Sequence, residues 1–222
     1  MRAMILAAGR GERLRPLTER IPKPLIPVAG EPLIVHQLRW LHRAGIRDVI
    51  INLHHLGDAI ERALGTGTDL GIRIHYSREP DLLDTGGGIK KALPRLAPGP
   101  FLVLNGDIWT NYPFRDLADA RPAKAHLVLT PTPAYTDQAD FHLDTSDGAR
   151  HVRRGADNNL TYCGIAVLAE SLFDNTPNGP FSLTDPLFKA AAMGEVSGEI
   201  FNGTWIDIGT PGQLKRARRL TA

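Results

Sequence analysis

Met4-Ile5-Leu6-Ala7-Ala8-Gly9-Arg10-Gly11-Glu12-Arg13-Leu14-Arg15-Pro16-Leu17-Thr18, followed by Pro22-Lys23-Pro24-Leu25, is the stretch from which the rest of the chain can be read. A short apolar run that ends in Ala-Ala-Gly reads as a buried strand entering a turn. Gly9 and Gly11 carry no Cβ, so the backbone there can curl and come close to a ligand. Successive N–H groups in such a curl cradle an anion. Arg10, Arg13 and Arg15 add positive charge beside it. Lys23 lies between Pro22 and Pro24, whose fixed φ angles hold it in one place, and it is expected to be exposed. A stiff lysine aimed at a glycine cradle points to phosphate chemistry. The dinucleotide-binding fingerprint does not fit, because Leu14 stands where its third glycine belongs.

Outward from this loop, helices are expected over residues 32–44 and 57–64, and strands over 48–53 and 72–77. A glycine-started helix is expected over 85–93 and a strand over 101–104. Strand and helix thus alternate four times, which predicts an α/β fold: a mostly parallel sheet with helices on both faces. Ligands of such sheets bind beyond the carboxyl ends of the strands. The glycine loop and Asp107 both fall at such ends. Beyond Asp107 the pattern changes. Strands are expected over 125–130, 149–153, 160–168 and 199–206, with a turn at Ser146-Asp147-Gly148. A helix within 181–193 has Thr184 or Asp185 as its expected cap, and 211–220 reads as a closing helix. Residues 1–110 and 111–222 are read as two parts of one domain built on the same sheet.

The chain has 222 residues, enough for one α/β domain with a full core. Its formal net charge of +2 is too small to argue for nucleic acid. Cys163 is the only cysteine, so no internal disulfide and no cysteine metal cage can form, which fits a reducing cytoplasm. No apolar run reaches the ~18 residues of a membrane span, and no signal peptide is read. The eight histidines show no metal-ligand spacing, and His54-His55 are read as packing or surface residues.

Asp107 and Asp207 each sit at an expected strand end next to a glycine, where a carboxylate can reach a metal. Magnesium takes oxygen ligands, usually one or two carboxylates plus phosphate oxygens. The run Glu79-Pro80-Asp81-Leu82-Leu83-Asp84-Thr85-Gly86-Gly87-Gly88 places three glycines before a helix, and exposed backbone groups there could read the edge of a base.

The opening stretch resembles the signature of the sugar-nucleotidyltransferases, enzymes that join a nucleoside triphosphate to a sugar 1-phosphate. Their pattern, Leu-Ala-Ala-Gly-x-Gly-x-Arg-Leu-x-Pro-Leu-Thr and then Pro-Lys-Pro-Leu, is met at every fixed position. Asn105-Gly106-Asp107 and Trp205-Ile206-Asp207-Ile208-Gly209-Thr210 resemble the places where that family keeps two magnesium-binding aspartates. Leu83-Asp84-Thr85-Gly86-Gly87-Gly88 resembles the branch that handles uridine triphosphate (UTP) and N-acetylmuramic acid 1-phosphate in cell-wall recycling, a branch that is short and lacks a β-helix tail.

The resemblance implies a single-domain, Rossmann-like nucleotidyltransferase fold without a C-terminal β-helix. It implies Lys23 and Arg13 as catalytic residues, and Ala8, Gly9, Gly11, Glu12, Arg13, Lys23, Glu79, Thr85, Gly86 and Gly87 as nucleotide contacts. On the sugar side it implies Asn105, Asp140 and Gly164. The family's usual Glu-Lys-Pro, whose lysine contacts the sugar phosphate, is replaced here by Arg150-His151-Val152-Arg153-Arg154. Either Arg153 or Arg154 takes that role, or the site is built differently. Mg²⁺ on Asp107 and Asp207 is the implied cofactor. The implied partners are UTP and a sugar 1-phosphate, with no nucleic acid and no membrane, in a monomer or small homo-oligomer. Two alternatives stay open: a mannose 1-phosphate guanylyltransferase or other hexose-1-phosphate nucleotidyltransferase, and a silent nucleotide-sugar sensor. Retention of Arg13, Lys23, Asp107 and Asp207 together speaks against the sensor.

Overall fold

Apolar runs and amphipathic helices alternate through the first half of the chain, and each becomes a layer. The computed structural model describes residues 1–135 and 138–220. The elements run β1 (Ala3–Leu6), β2 (Pro27–Val28), β3 (Glu31–Pro32), α1 (Leu33–Arg43), β4 (Asp48–Leu53), α2 (Gly57–Leu64), β5 (Arg73–Arg78), α3 (Asp84–Leu96) and β6 (Phe101–Asn105). They continue with β7 (Ile108–Thr110), β8 (Ala125–Pro131), β9 (His142–Asp144), β10 (His151–Arg153), β11 (Leu160–Leu168), α4 (Thr184–Ala192), β12 (Val196–Ile200), β13 (Trp205–Asp207) and α5 (Pro211–Leu220).

One nine-stranded sheet runs in the order β5-β4-β1-β6-β11-β8-β12-β10-β9. Its first four strands are parallel. β11 joins them antiparallel along β6, so the second half of the chain extends the same sheet. Period-two alternation divides the core between the faces. Ile5, Ile51 and Leu104 pack with Ile34 and Leu38 of α1 and Ile60 of α2. Met4, Ile50 and Val103 pack with Ile89 of α3 and Leu187 of α4. Each such side chain, fully buried, contributes about 1.5–3 kcal/mol. A third cluster joins Leu214 and Ala217 of α5 to Leu14, Ile26, Ile206 and Ile208, and so fastens the opening loop to the C-terminal helix. Among the described residues no helix is long and apolar enough to cross a membrane.

The chain leaves β1 for β4 and β5 on one side and returns to β6 on the other. The sheet therefore has its switch point between the carboxyl ends of β1 and β6, where ligands of open α/β sheets bind.

Three expectations need correction. The run 199–206 is two strands, because Asn111 pulls the chain aside. Its Oδ1 accepts from Thr204 N at 2.8 Å and its N–H donates to Thr204 O at 3.1 Å, so β13 leaves the large sheet to pair with β7. The turn at residues 145–148 joins β10 to β9, a strand absent from the sequence reading, rather than to β8. Finally, neither Thr184 nor Asp185 caps α4. Leu183 holds that position, and Ser182 Oγ accepts from Thr184 N at 3.3 Å.

Candidate active site

The opening loop is held from both ends. Ala7 N–H donates to Asn52 Oδ1 at 2.7 Å, which fixes the end of β1 against β4. Gly11 adopts φ 63°, a left-handed conformation that a side chain resists. Thr18 Oγ1 donates to its carbonyl at 2.8 Å and closes the loop from the far side. Arg13 rises from the helical turn that starts at Gly11, with its side chain 67% exposed. Lys23 begins another such turn after Pro22. Its side chain is only 12% exposed, against the expected exposure, because it reaches inward. Nζ lies 2.6 Å from Asp107 Oδ2.

Asp107 follows β6 in a tight turn. Gly106 N–H donates to Leu6 O at 2.9 Å, so the ends of β1 and β6 stay in register. Fully buried Gln37 supports the turn from α1, its Nε2 donating to Asn105 O at 3.0 Å and Ile108 O at 3.1 Å. Asp207 ends β13 opposite Ile108, and Ile208 N–H donates to Asp107 O at 2.8 Å. The small β7–β13 sheet thus places the two aspartates side by side, although a hundred residues separate them in sequence. Burial, reinforced by the neighbouring Asp107 charge, pushes the Asp207 carboxyl up to about 6 against the opposing pull of Lys23 and Arg13. Asp207 Oδ1 is buried without a hydrogen-bond partner. An orphaned carboxylate oxygen beside a second carboxylate is the donor set of a divalent cation that completes its shell with substrate oxygens. Among the described residues no cluster of three or more His, Cys, Asp or Glu offers an all-protein cage.

Two cavities meet at this pair. One, of about 310 Å³, is walled by Ala7, Gly9, Gly11, Glu12, Arg13, Lys23, Asp107 and Gly209. The second, also about 310 Å³, is walled by Arg13, Asn105, Asp107, Tyr135, Tyr162, Gly164, Trp205, Asp207 and Gln213 among others. Arg13 and Asp107 belong to both walls. The structure therefore brings together Gly9, Gly11, Glu12, Arg13, Lys23 and Asp107 on one side, and Asn105, Gly164 and Asp207 on the other.

Other candidates lie elsewhere. Ala8 is buried and leaves the wall to Ala7 and Gly9. Gly86 and Gly87, the expected nucleotide contacts, open α3 with their N–H groups turned to the chain. Both N–H groups donate to Phe181 O, at 2.9 and 3.2 Å. A Cβ on Gly86 would lie 2.3 Å from the Phe181 ring, and one on Gly87 would lie 2.3 Å from Gly179 O. These glycines let α3 start hard against residues 179–181. Thr85 Oγ1 accepts from Leu183 N at 2.8 Å in the same seam. Glu79 is 4% exposed and its carboxylate is occupied by Asn52 Nδ2 at 2.8 Å and Leu83 N at 3.2 Å, so it braces the loop. Asp140 Oδ2 accepts from Tyr162 N at 2.9 Å and stitches its segment to β11, outside the cavity wall. Arg153 Nη1 donates to Ala191 O at 3.3 Å, at the end of α4. Arg154 turns the same way, over the Phe188 ring at 4.1 Å. The aliphatic stems and flat guanidinium groups cover α4 and do not reach the sugar-side cavity.

Asn52, Gln37 and Gln213 were missed. Gln213 Oε1 accepts from Gly209 N and Thr210 Oγ1, both at 3.0 Å, and fixes the turn after Asp207. The signal for two of them was present: Asn52 interrupts an apolar strand, and Gln37 falls on the apolar face of α1 with Ile34, Leu38 and Leu41. A polar residue at a core position has partners to meet.

The Nucleotidyl transferase family model matches residues 2–153. The chain is 42% identical to the N-acetylmuramate alpha-1-phosphate uridylyltransferase of Neisseria meningitidis serogroup B, over 99% of this chain and 98% of that protein. It is 36% identical to the Caulobacter vibrioides protein of the same name, over 94% and 92%. The mannose-1-phosphate guanyltransferase beta-A of Xenopus laevis is 31% identical, over 95% of this chain but 62% of that one. A Bacillus anthracis crystal structure in complex with a sucrose superposes with a TM-score of 0.86 at 22% identity, over 100% and 95% of the two chains, and shares the fold.

Proposed function

The chain belongs to the nucleotidyl transferase family, and from that premise we propose that it joins UTP to N-acetylmuramic acid 1-phosphate, giving UDP-N-acetylmuramic acid and pyrophosphate. The observation that carries this reading is the end-to-end likeness to the Neisseria uridylyltransferase, which spans both cavities and nearly the whole of each chain. The reaction belongs to cell-wall recycling and to the cytoplasm, where UTP is held. The guanylyltransferase alternative has the weaker support, because its relatives extend well beyond the matched region.

The sugar phosphate oxygen attacks the α-phosphorus of the triphosphate in line, and pyrophosphate leaves. A phosphate monoester is largely ionised at neutral pH, so the chain supplies position and charge rather than a general base. Asp107 and Asp207 are the residues that would hold magnesium, which would supply positive charge to offset the negative charge of the phosphates. The amides of residues 9–13 and the Arg13 guanidinium hold the β- and γ-phosphates at the rim of the first cavity. Lys23, held inward by its turn, donates to oxygens on which charge grows in the transition state. Arg13 spans both cavities and keeps the two substrates aligned.

Pyrophosphate release with a panel of triphosphates and sugar phosphates tests the reading. Turnover with UTP and the muramic substrate, and loss of it in excess chelator, supports it. Turnover that needs guanosine triphosphate and mannose 1-phosphate replaces it with the alternative, and no turnover with any pair returns the sensor.

A further inference from the structure

The proposed sugar carries a lactyl carboxylate that ordinary hexose phosphates lack, and the cavity that would hold it is already acidic. Asp107 and Asp207 both line it, and among its described wall residues Arg13 is the one cation. Arg13 also lines the other cavity and stands 4.0 Å from Asp207, so it faces phosphate on two sides. A third carboxylate entering this space without its own cation would lose hydration and gain repulsion. The two arginines that the sequence puts forward for it, Arg153 and Arg154, are turned onto α4.

α5 brings another arginine to the rim. Gln213 lines the cavity, and its side chain is tied to Gly209 and Thr210, so the first turn of α5 is fixed. Arg216 follows three residues later, on the same helix face. Its guanidinium carbon lies 6.0 Å from the centroid of the Tyr135 ring, and Tyr135 is itself part of the wall. Arg216 is exposed, and among the described residues it has no hydrogen bond or ion pair. A guanidinium laid on a ring keeps its N–H edge for a ligand, and that edge matches a carboxylate in two parallel hydrogen bonds. Burial raises the Tyr135 phenol while Arg216 lowers it and Asp207 raises it further, as expected of three groups around one space.

We propose that Arg216, held over Tyr135 at the rim of the sugar-side cavity, is the specificity residue that pairs with a carboxylate carried by the sugar. This rests on the uridylyltransferase reading. It assigns to α5 a discrimination that the Asp107–Asp207 centre cannot make, since phosphate reaches that centre identically in both kinds of sugar.

The test compares N-acetylmuramic acid 1-phosphate with N-acetylglucosamine 1-phosphate in wild type, Arg216→Ala, Arg216→Lys and Arg216→Glu. Arg219→Ala, on the same helix and outside the cavity wall, is the control. Arg216→Ala should lower the kcat/KM ratio of muramic to glucosamine substrate by roughly ten- to a hundredfold, the scale of a lost hydrogen bond to a charged group. The change should fall on KM for the muramic substrate rather than on KM for UTP. Arg216→Lys should recover part of it, Arg216→Glu should lower the ratio further, and Arg219→Ala should keep the wild-type ratio. A strong wild-type preference that survives in Arg216→Ala overturns this inference and leaves the proposed function standing. Equal use of the two sugars by wild type overturns both.

Discussion

Lys23 Nζ stands 2.6 Å from Asp107 Oδ2, so the part-buried lysine and one of the two neighbouring carboxylates offset each other's charge. That pairing leaves Asp207 as the carboxylate with an unmet buried oxygen.

Lys23→Ala should lower turnover by roughly two to three orders of magnitude, the scale of losing one preorganised donor. It should also lower the unfolding temperature in chelator, because Asp107 and Asp207 then face each other without the intervening charge. Turnover near wild type would remove Lys23 from catalysis, and steady-state kinetics beside a thermal melt report both effects.

Asp207→Asn should abolish activity yet raise the unfolding temperature of the metal-free protein. The folded protein holds the Asp207 proton up to about pH 6, above the ordinary value of 3.8. The folded state therefore binds more protons than the unfolded one, and stability from this group falls as pH rises between those values. At neutral pH the wild type carries that unfavourable charge and the amide does not. Melts of both proteins from pH 4 to 8 in chelator should diverge as pH rises, with the variant the more stable above pH 6. A variant that melts below wild type at pH 8 would contradict the strained-carboxylate reading.

Asn52→Ala should cost about 2–3 kcal/mol, since it leaves Ala7 N–H and Glu79 Oε1, one oxygen of the buried carboxylate, without their partner. The same link sets the end of β1, so KM for UTP should rise as well. Urea unfolding measures the first effect and saturation kinetics the second. A stability loss with unchanged KM would confine Asn52 to the core.

Gly86→Ala should destabilise by about 1–3 kcal/mol, because its Cβ would meet the Phe181 ring. Phe181→Leu in the Gly86→Ala background should recover part of that loss. The cycle of single and double variants isolates the contact, and strict additivity would show that the ring is not what the added methyl meets.

Local pattern carried the sequence reading a long way. The strands Asp48–Leu53 and Leu160–Leu168 and the helices Gly57–Leu64 and Pro211–Leu220 begin and end where the sequence places them. Their boundaries are set by turn residues and apolar period, which are local. The loop of Gly9 and Gly11, Lys23 and both aspartates were legible through motif spacing. What was not legible depends on contacts made at a distance. Gly86 and Gly87 read as exposed backbone in the sequence, and the fold presses residues 179–181 against them. Arg153 and Arg154 look like an anion site until α4 is seen beneath them. The break after Ile200 depends on Asn111, ninety residues earlier, and no periodicity within the run reveals it.

The most direct measurement is a single competition reaction. The protein is given equal amounts of UTP and guanosine triphosphate together with N-acetylmuramic acid 1-phosphate and mannose 1-phosphate, with magnesium, and the nucleotide sugars formed are identified by mass. UDP-N-acetylmuramic acid as the dominant product is the expected result. GDP-mannose as the dominant product would contradict the proposed function.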